Sequence, residues 1–325
     1  MTDSIRWGIL GASNFALHQL APALHAARGS RVVALGTTSA SKAAPFAEFL
    51  PDLRVDSDYE SIVAADDVDA VYIPLPNHLH VEWTIRALEA GKHVLCEKPI
   101  AMRESDFERL IAARDAAGRH AAEAFMIVHH PQWIRARELL RHQRVGPVRH
   151  VEVVFSYRNV DPQNIRNQPN MGGGGLRDIG VYAFGSVRYA TGEEPTDLSA
   201  SLDMIDDYDT FAEINATFPS FSYHGVVSTR LALRQRVVFH GEEGTIELTA
   251  PFNAGVFDQA ELIIETGGDG RTVERWPGVR QYVLQAENFV DTVRTGAAYP
   301  WTLEQARGSQ AMIDWAFRAA GHPQP

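Results

Sequence analysis

The residues that decide the fold are IRWGILGASNFA, numbers 5–16. An apolar run at 5–10 leads directly into a turn in which Gly11, Ser13 and Ala16 take the three spaced positions of a G-x-G-x-x-G sequence. A turn between a strand and a helix directs free backbone N–H groups and the positive end of the helix dipole at a phosphate. The sequence therefore predicts a pyrophosphate-binding turn, although Gly-Ala-Ser is also common in ordinary strand-to-helix turns.

The sequence after this turn alternates apolar, β-branched runs with segments of helical periodicity up to about residue 125. Alternation of this kind is typical of βαβ units on a parallel sheet. After the first strand, further strands are predicted at 32–37, 70–74, 93–96 and 121–125, and helices at 14–27, 42–50, 79–90 and 106–117. We therefore expect an α/β, doubly wound Rossmann domain for dinucleotide binding at residues 1–125.

Beyond residue 125 the pattern changes to consecutive strands. A helix at 132–142 and a strand at 148–157 precede a loop rich in Asn, Pro and Gly and a helix at 176–191. Turn residues then separate predicted strands, as an antiparallel sheet requires, at 197–205, 208–218, 222–231, 235–240, 244–249 and 260–265. We expect an α+β domain at 126–325, whose last helices, 281–295 and 303–320, cover its sheet or pack on the first domain.

The composition excludes several classes of protein. Of 325 residues, 45% are apolar and 22% charged, which is ordinary for a globular chain of two domains. The net charge of −11 and the lack of a Lys/Arg cluster argue against a nucleic-acid partner. We expect a cytoplasmic protein with no membrane partner, because no run of about 18 apolar residues and no signal-like start is present. The single Cys96 lies in an apolar run and is expected to be a buried structural thiol.

The end of the second predicted strand bears on the cofactor. NAD enzymes usually place Asp or Glu there to bind the ribose 2′-hydroxyl. Here Thr37, Thr38 and Ser39 are followed by Lys42, with no carboxylate among them. Hydroxyl donors beside a cation suit a 2′-phosphate, so we expect NADP, with NAD as the less favoured alternative. Ser39 or Ser41 could also cap the next helix, and the two roles are compatible.

Two motifs follow predicted strands of the first domain. The run LCEKP, residues 95–99, places Lys98 at the carboxyl end of a strand, beside the crevice where such sheets bind cofactors. The run PLPNHLH, residues 74–80, follows the strand before it. Because both runs end neighbouring segments of one βαβ series, Lys98 is expected in a functional position and not on an ordinary surface.

A third motif lies in the second half of the chain, where glycines at 172–175 lead into RDIGVY, residues 177–182. Asp178 and Tyr182 are four residues apart and so share one face of the predicted helix. A tyrosine in such a position becomes a usable base when a cation lies nearby, because the positive charge lowers the pKa of the phenol. A core tyrosine and a helix-start aspartate are the structural alternative.

With these motifs in order, the chain resembles the glucose-fructose oxidoreductase/inositol dehydrogenase (Gfo/Idh/MocA) family over essentially its whole length. That family carries a G-x-x-G-[AC] turn, a P-N-x-x-H segment and an E-K-P tripeptide. The runs EAFM, HPQ and D-x-G-x-Y are similar to its branch of NADP-dependent aldose (xylose or glucose) 1-dehydrogenases and dimeric dihydrodiol dehydrogenases. The sequence departs from the family pattern at Ser13, where Gly is usual, and near Thr38, where an Arg is often found, so the NADP prediction depends on Lys42 and the hydroxyls.

The resemblance implies a Rossmann domain followed by an α+β domain for substrate binding and oligomerisation, with a large open-faced antiparallel sheet. The residues expected at the cofactor are Gly11, Ala12, Ser13, Asn14, Phe15, Thr37, Thr38, Ser39, Lys42, Leu75, Pro76, Asn77, His80, Glu97 and Lys98. The residues expected at the substrate are Lys98, Phe125, His130, Arg158, Asp178 and Tyr182. Lys98, Asp178 and Tyr182 form the expected catalytic set.

The expected reaction is hydride transfer between nicotinamide and a sugar, most directly oxidation of an aldose at C1 to the lactone. Tyr182 would take the hydroxyl proton, and Lys98 would orient and polarise. The alternatives are reduction of a keto- or anhydro-sugar, exchange between two aldoses on tightly bound NADP, and a non-catalytic nucleotide-binding regulator. A homodimer or homotetramer through the antiparallel sheet is implied by the resemblance.

Other polar clusters have simpler interpretations. No metal is expected, because the pairs His78/His80 and His129/His130 lack the i, i+4 spacing of helical ligands. The glycines at 172–175 are expected to form a flexible hinge in preference to an anion site. Four loop residues have two open interpretations, contact with substrate hydroxyls or exposure to solvent: Arg158, Asp161, Asn164 and Arg166.

Overall fold

The structure is a computed structural model that describes residues 4–257, 259–268 and 270–322. The chain divides into two compact units, which are Met1–His129 with Arg280–Ala306 and His130–Val279 with Arg307–Pro325. Compact units are not the same as independently folding domains, so the domain boundary expected after residue 125 stays a prediction.

The first unit is built on a parallel sheet of six strands in the order β3-β2-β1-β4-β5-β6. Its strands are β1 (Ile5–Leu10), β2 (Ser30–Gly36), β3 (Arg54–Asp56), β4 (Ala70–Ile73), β5 (His93–Cys96) and β6 (Ala121–Glu123). The strand order reverses beside β1, so the expected doubly wound sheet is confirmed. The sequence prediction lacks β3, because a strand of three residues that reads Arg-Val-Asp shows no apolar run.

The helices follow the predicted segments closely, and those at 106–117 and 281–295 have the predicted bounds. In chain order they are α1 (Ala21–Ala26), α2 (Ala40–Phe49), α3 (Tyr59–Ala64), α4 (His80–Glu89), α5 (Asp106–Ala117), α6 (Pro131–Arg141), α7 (Val181–Thr191), α8 (Gln281–Thr295) and α9 (Leu303–Ala319). The prediction lacks only α3, whose six residues are too few to show a helical period. Within the described part of the chain, no helix combines the length and the apolar character that crossing a bilayer requires.

Two helices begin with a wider, π-helical turn. Ala16–Leu20 precedes α1, and Leu176–Gly180 precedes α7. In the first case Pro22 lies just inside α1, where it lacks an N–H and its ring would crowd the carbonyl four residues earlier, and a wider turn relieves that crowding. π-Helical turns are rare and often mark functional sites, and both of these contain or adjoin residues expected in the site.

The core of the first unit forms around β1 in the middle of the sheet. Trp7 is fully buried, and its ring packs against Phe289 of α8 at a centroid distance of 4.8 Å. Gly8 allows Ile62 of α3 to approach the strand, because a Cβ at this position would overlap the Ile62 side chain. Helix α8 therefore packs within the first unit, which is one of the two positions expected for the C-terminal helices.

The second unit is built on eight strands in the order β14-β13-β12-β11-β7-β10-β9-β8. They are β7 (Val148–Arg158), β8 (Asp197–Ile205), β9 (Tyr208–Thr217), β10 (Ser222–Ser228), β11 (Arg230–Gly241), β12 (Gly244–Leu248), β13 (Gln259–Thr266) and β14 (Gly270–Pro277). The large antiparallel sheet is confirmed as the architecture of this half. The prediction lacks β14, whose sequence GRTVERWP is too rich in polar residues to show an apolar alternation.

One pair of this sheet corrects the expectation, because β7 and β10 run parallel while the other neighbours are antiparallel. The chain leaves β7, passes through α7 to the far edge at β8 and returns strand by strand. Two reversals then bring β10 into the direction of β7. A parallel pair needs such a crossover connection, which the spacing of turn residues does not reveal.

A buried carboxylate gives a test of the packing in the first unit. Glu123, at the end of β6, is 2% exposed; its Oε1 accepts a hydrogen bond from Ile100 N–H at 3.1 Å and its Oε2 from Trp301 Nε1–H at 3.0 Å. Trp301→Phe removes one donor from a buried anion, so the free energy of unfolding should fall by about 2–3 kcal/mol in urea denaturation followed by circular dichroism. Trp276→Phe, at a half-buried position of the mostly exposed strand β14, is the control, with an expected change below about 0.5 kcal/mol. Equal losses in both variants would contradict this assignment.

Candidate active site

The turn after β1 contains a position that only glycine fits. Gly11 has a φ of +107°, and its N–H donates to the carbonyl of Gly36 at 2.9 Å. A Cβ here would lie 2.9 Å from Leu75 Cδ2, in the loop after β4. The structure therefore brings together two of the residues expected at the cofactor, Gly11 and Leu75.

Ser13 has a role that a glycine could not have. Its Oγ accepts a hydrogen bond from the backbone N–H of Ala16 at 3.0 Å, at the start of the helical segment. Ala12 and Ser13 are half-buried, whereas Asn14 and Phe15 are exposed, and Phe15 meets the ring of Tyr282 edge-on at 5.7 Å. One N–H group expected to face a phosphate is therefore already bonded within the turn.

The segment after β2 caps the next helix, as the sequence analysis allowed. Ser39 is the N-cap of α2; its Oγ accepts from the N–H of Lys42 at 3.4 Å and lies 3.0 Å from Ser41 Oγ. Thr37 Oγ1 accepts from the N–H of Ser39 at 3.2 Å. A hydroxyl that accepts a hydrogen bond keeps its own proton to donate, and the Thr38 and Lys42 side chains are exposed. Helix capping by Ser39 is confirmed, and binding of a 2′-phosphate stays a prediction.

Glu97 is fixed at the end of β5 by a neighbouring strand. Its carboxylate accepts hydrogen bonds from the hydroxyl of the buried Tyr72 at 2.8 Å and from the N–H of Lys98 at 3.3 Å. Burial, together with the charge of Glu97, raises the pKa of Tyr72 well above its ordinary value, so this phenol remains a donor. The Glu97 carboxylate thus orients the start of the segment that carries the half-buried Lys98.

His80 joins the segments of the P-N-x-x-H and E-K-P motifs. It is completely buried, with Nδ1 2.7 Å from the carbonyl oxygen of Pro99 and Nε2 2.7 Å from that of Leu75. Burial lowers the pKa of His80 to about 4, so the ring is neutral at pH 7 and has one N–H to offer the two carbonyls. His80 thus ties the loop after β4 to the loop after β5, and its expected place at the cofactor stays a prediction. Pro76 and Asn77 of the first loop are half-buried.

Two of the other substrate candidates lie in the interior. Phe125 is fully buried with its ring 4.5 Å from Trp301. His130 is also fully buried, and its Nδ1 accepts from the N–H of Gln132 as the N-cap of α6, which places the proton of the neutral ring on Nε2. Burial lowers the pKa of His130 to about 4. Arg158, at the end of β7, is exposed.

Charged and hydroxyl groups of the second unit meet at Asp178. This residue lies in the π-helical turn before α7 and is 9% exposed. Its Oδ2 pairs with Arg166 Nε at 2.9 Å and accepts from the Tyr157 hydroxyl at 2.5 Å. Burial and the Asp178 charge raise the pKa of Tyr157 far above its ordinary value, so Tyr157 stays protonated and donates. Asp178 is therefore held as an anion by two donors.

Tyr182 follows Asp178 by four residues, as the sequence requires. Its ring packs against Phe155 and Phe252 at centroid distances of 5.7 and 5.6 Å, and the residue is 6% exposed. The Arg166 guanidinium interacts electrostatically with Tyr182 as well as with Asp178. The Asp178 charge is the main cause of the raised pKa of Arg166. The core-tyrosine interpretation thus describes the ring, and the proton-transfer role of the hydroxyl stays a prediction.

Two family models match the chain. A model described as an oxidoreductase family with an NAD-binding Rossmann fold matches residues 5–125, and a GFO/IDH/MocA C-terminal domain model matches residues 133–247. An uncharacterized oxidoreductase of Rhizobium meliloti is 37% identical over 98% of this chain and 97% of its own length. The chain belongs to the GFO/IDH/MocA oxidoreductase family.

Similar members of the GFO/IDH/MocA family are named as sugar oxidoreductases. A D-xylose 1-dehydrogenase (NADP+) of Haloferax volcanii is 30% identical, over 97% of both chains. The crystal structure of a 3-ketoreductase from Actinomadura kijaniata with NADP and TDP-benzene has a TM-score of 0.89, 28% identity and 98% coverage of both chains. Solved forms of that ketoreductase include a lysine-to-alanine mutant and a tyrosine-to-phenylalanine mutant.

The glycine stretch of this GFO/IDH/MocA chain is packed and not a free hinge. Gly174 has a φ of +116°, and a Cβ on Gly174 or Gly175 would meet the carboxylate of Asp209. The Oδ2 of Asp209 accepts from the N–H of Leu176 at 2.7 Å, where the helical segment begins. The hinge expected at 172–175 is wrong, because these glycines make room for an internal anion that caps the helix from β9.

Sequence reasoning missed Tyr157 and Asp209, which reach the site from strands distant in sequence. The signal for Asp209 is its place among Tyr208, Thr210 and Phe211, where a carboxylate in a mostly apolar strand indicates a buried acceptor. No local signal points to Tyr157. In the loop between β7 and α7, the side chains of Asp161 and Asn164 accept hydrogen bonds from backbone N–H groups of the loop itself and so help to shape it. Their contact with a substrate stays a prediction.

The remaining reactive residues have structural surroundings. Cys96 is buried as expected, and burial raises the pKa of its thiol well above the ordinary value. The Nδ1 of the buried His129 lies 2.7 Å from Asn288 Nδ2, and burial lowers the pKa of His129 to about 3. Among residues 4–257, 259–268 and 270–322, no three His, Cys, Asp or Glu side chains form a group that could hold a metal ion.

The buried Asp209 predicts a pH-dependent stability. Burial raises its pKa from 3.8 to about 6. Because folding favours the protonated form, this contribution is fully present below about pH 4 and is lost as the pH rises through 6, a difference of about 3 kcal/mol. Asp209→Asn keeps an oxygen for Leu176 and cannot ionise, so between pH 4 and 7 the variant should gain about that amount relative to the wild type in urea unfolding. The exposed Asp203→Asn is the control, and identical pH slopes in wild type and Asp209→Asn would refute the assignment.

Proposed function

We propose that this family member is an NADP(H)-dependent oxidoreductase that passes a hydride between nicotinamide and a sugar, oxidising an aldose at C1 to its lactone. The observation that carries the proposal is the cluster of Asp178, Arg166 and Tyr157, with Tyr182 four residues beyond Asp178. A cluster that combines a phenol, a fixed anion and a cation is suited to moving a proton. The names of the sugar oxidoreductases to which this chain is similar support the substrate class.

The first unit fits a dinucleotide at its glycine turn. A side chain on Gly11 would fill the close approach between the turn and Leu75, and the first helical residues, Asn14 and Phe15, are exposed. We assign the pyrophosphate to the turn and the 2′-phosphate to Thr37, Thr38 and Lys42. Bound there, the nicotinamide would supply C4 as the hydride acceptor or donor. The names of the NADP-linked xylose dehydrogenase and of the NADP-bound ketoreductase support the choice of NADP.

In the proposed reaction, the hydroxyl proton and the C1 hydride of the sugar leave to different acceptors. Tyr182, as phenolate, takes the proton of the C1 hydroxyl, and the C1 hydrogen leaves with its electron pair as the carbonyl forms. Lys98 orients the reacting hydroxyl and favours the phenolate. Asp178 holds the adjacent charge in place without itself moving a proton, because its Oδ2 is engaged by Arg166 and Tyr157.

Reduction of a keto-sugar is the second candidate. The same groups would act in reverse, with Tyr182 donating the proton, and the similarity to a 3-ketoreductase favours this direction. A panel of aldoses with NADP and of keto-sugars with NADPH, followed by the absorbance of the reduced nicotinamide, distinguishes the two. The family resemblance further supports a homodimer or homotetramer through the eight-stranded sheet.

The cofactor assignment predicts that NADP binds more tightly than NAD in calorimetric titration. Lys42→Ala removes a charge-assisted contact with the 2′-phosphate, which NAD lacks. The variant should therefore bind NADP about tenfold more weakly and bind NAD unchanged. Arg31→Ala, an exposed cation near the start of β2, is the matched control and should change neither. The assignment fails if NAD binds as tightly as NADP, or if both lysine and arginine variants weaken NADP equally.

The proton assignment predicts that Tyr182→Phe lowers kcat by about 10²–10⁴-fold with little change in cofactor affinity, because the ring is kept and the acid–base group is lost. Lys98→Met should be similarly damaging and should raise the apparent pKa that governs kcat/KM, since a nearby cation favours the phenolate.

Tyr189→Phe is the matched control, because Tyr189 lies in the same helix and is also 6% exposed. It should leave kcat nearly unchanged. Near-normal turnover of Tyr182→Phe with the best sugar would require another base.

A further inference from the structure

The loop between β7 and α7 places one cation against the proposed proton-transfer residues. Arg166 Nε contacts Asp178 Oδ2 at 2.9 Å, and the same oxygen accepts from Tyr157 at 2.5 Å. Arg166 is half-buried, so its charge is screened by solvent less than that of a surface arginine. Arg166 lies in a loop whose sequence has no regular period, so the sequence alone could not predict its contact with Asp178.

The backbone of Arg166 is fixed to the turn that begins the helix. Its N–H donates to Asn164 Oδ1 at 3.1 Å, and its carbonyl accepts from the N–H of Gly174 at 3.0 Å. Gly173 allows this contact, because a Cβ there would lie 2.7 Å from the Arg166 carbonyl oxygen. The loop and the helix start are therefore one packed element, so the Arg166 side chain leaves from a defined point.

A second arginine fastens the same loop to the sheet. Arg230, at the start of β11, donates to the Asn167 Oδ1 at 3.0 Å, to the Tyr208 hydroxyl at 3.2 Å and to the carbonyl of Asn159. Asn167 in turn donates to the Asp161 carbonyl at 2.7 Å. Together with the bond from Gly174 to the Arg166 carbonyl, these contacts connect the loop to the sheet and to the helix start.

We propose that Arg166 is a positioning residue that sets the proton affinity of Tyr182, with Asp178 as its opposing charge. The inference rests on the proposed function, in which Tyr182 exchanges the substrate proton. Among the described residues of this unit, Arg166 on the loop interacts electrostatically with Tyr182. Arg166 is paired with Asp178 on the helix start, which also accepts from Tyr157 on β7, and Arg230 acts on Tyr157. The cation favours the phenolate and the carboxylate opposes it, so the two charges of the pair act on Tyr182 in opposite directions.

Removing one member of the pair should therefore shift the apparent pKa of kcat/KM in opposite directions. Arg166→Met leaves Asp178 uncompensated and should raise it by about one unit, whereas Asp178→Asn leaves the guanidinium uncompensated and should lower it by about one unit. The double variant should return close to the wild-type value, and Arg166→Lys should shift the profile less than Arg166→Met. A merely structural role would lower kcat in each case without shifts of opposite sign.

Arg135→Met is the matched control, because Arg135 forms a comparable ion pair with Glu274 at 3.0 Å in the same unit. It should leave the pH profile unchanged, and thermal unfolding of each variant reports on folding separately. Shifts of the same sign in Arg166→Met and Asp178→Asn, or an equal shift in the control, overturn the role of Arg166. If Tyr182→Phe turns over normally, the proposed function fails and this inference with it; if Tyr182→Phe is inactive and the shifts share a sign, this inference alone fails.

Discussion

The hydrogen bond from the N–H of Leu176 to the buried carboxylate of Asp209 is the constraint on which the polar cluster of the second unit depends. A helix start exposes unpaired N–H groups, and these are usually satisfied by a side chain just before the helix. Here the acceptor comes from β9, so the preceding residues must leave room for it. Gly174 and Gly175 provide that room. One long-range cap thereby fixes the turn and the helix that carries Asp178.

The first unit meets the same requirement locally. Ser13 caps the helical segment from three residues away, and Gly11 closes the turn against Leu75. A local cap leaves the turn as a compact loop whose first helical residues, Asn14 and Phe15, are exposed. The two helix starts therefore differ in their surroundings. The first begins with exposed residues, and the second is closed over the buried Asp209 carboxylate.

Burial, more than charge, sets the protonation of the groups in both units. His80 and His130 are neutral because they are enclosed, and Tyr157 remains protonated for the same reason with the Asp178 charge as a second cause. These groups act by holding loops and carboxylates in fixed positions. In the second unit, Arg166 is a cation that interacts with Tyr182, so the proposed base has a source of positive charge within its own unit.

The sequence by itself determined the elements and the motif residues, because periodicity and spacing act within one strand, turn or helix. It predicted β1, β5, α5 and α8 with their observed bounds, located the Gly11 turn and Lys98, and placed Asp178 and Tyr182 on one helix. Only the tertiary structure decided which residues contact the helix that carries Asp178 and Tyr182, and which strands pair. Tyr157, Arg166 and Asp209 come to the helix from two strands and a loop, and the parallel pair β7 and β10 results from a crossover. Such contacts depend on register and connection across the whole sheet, and no rule of local spacing contains that information.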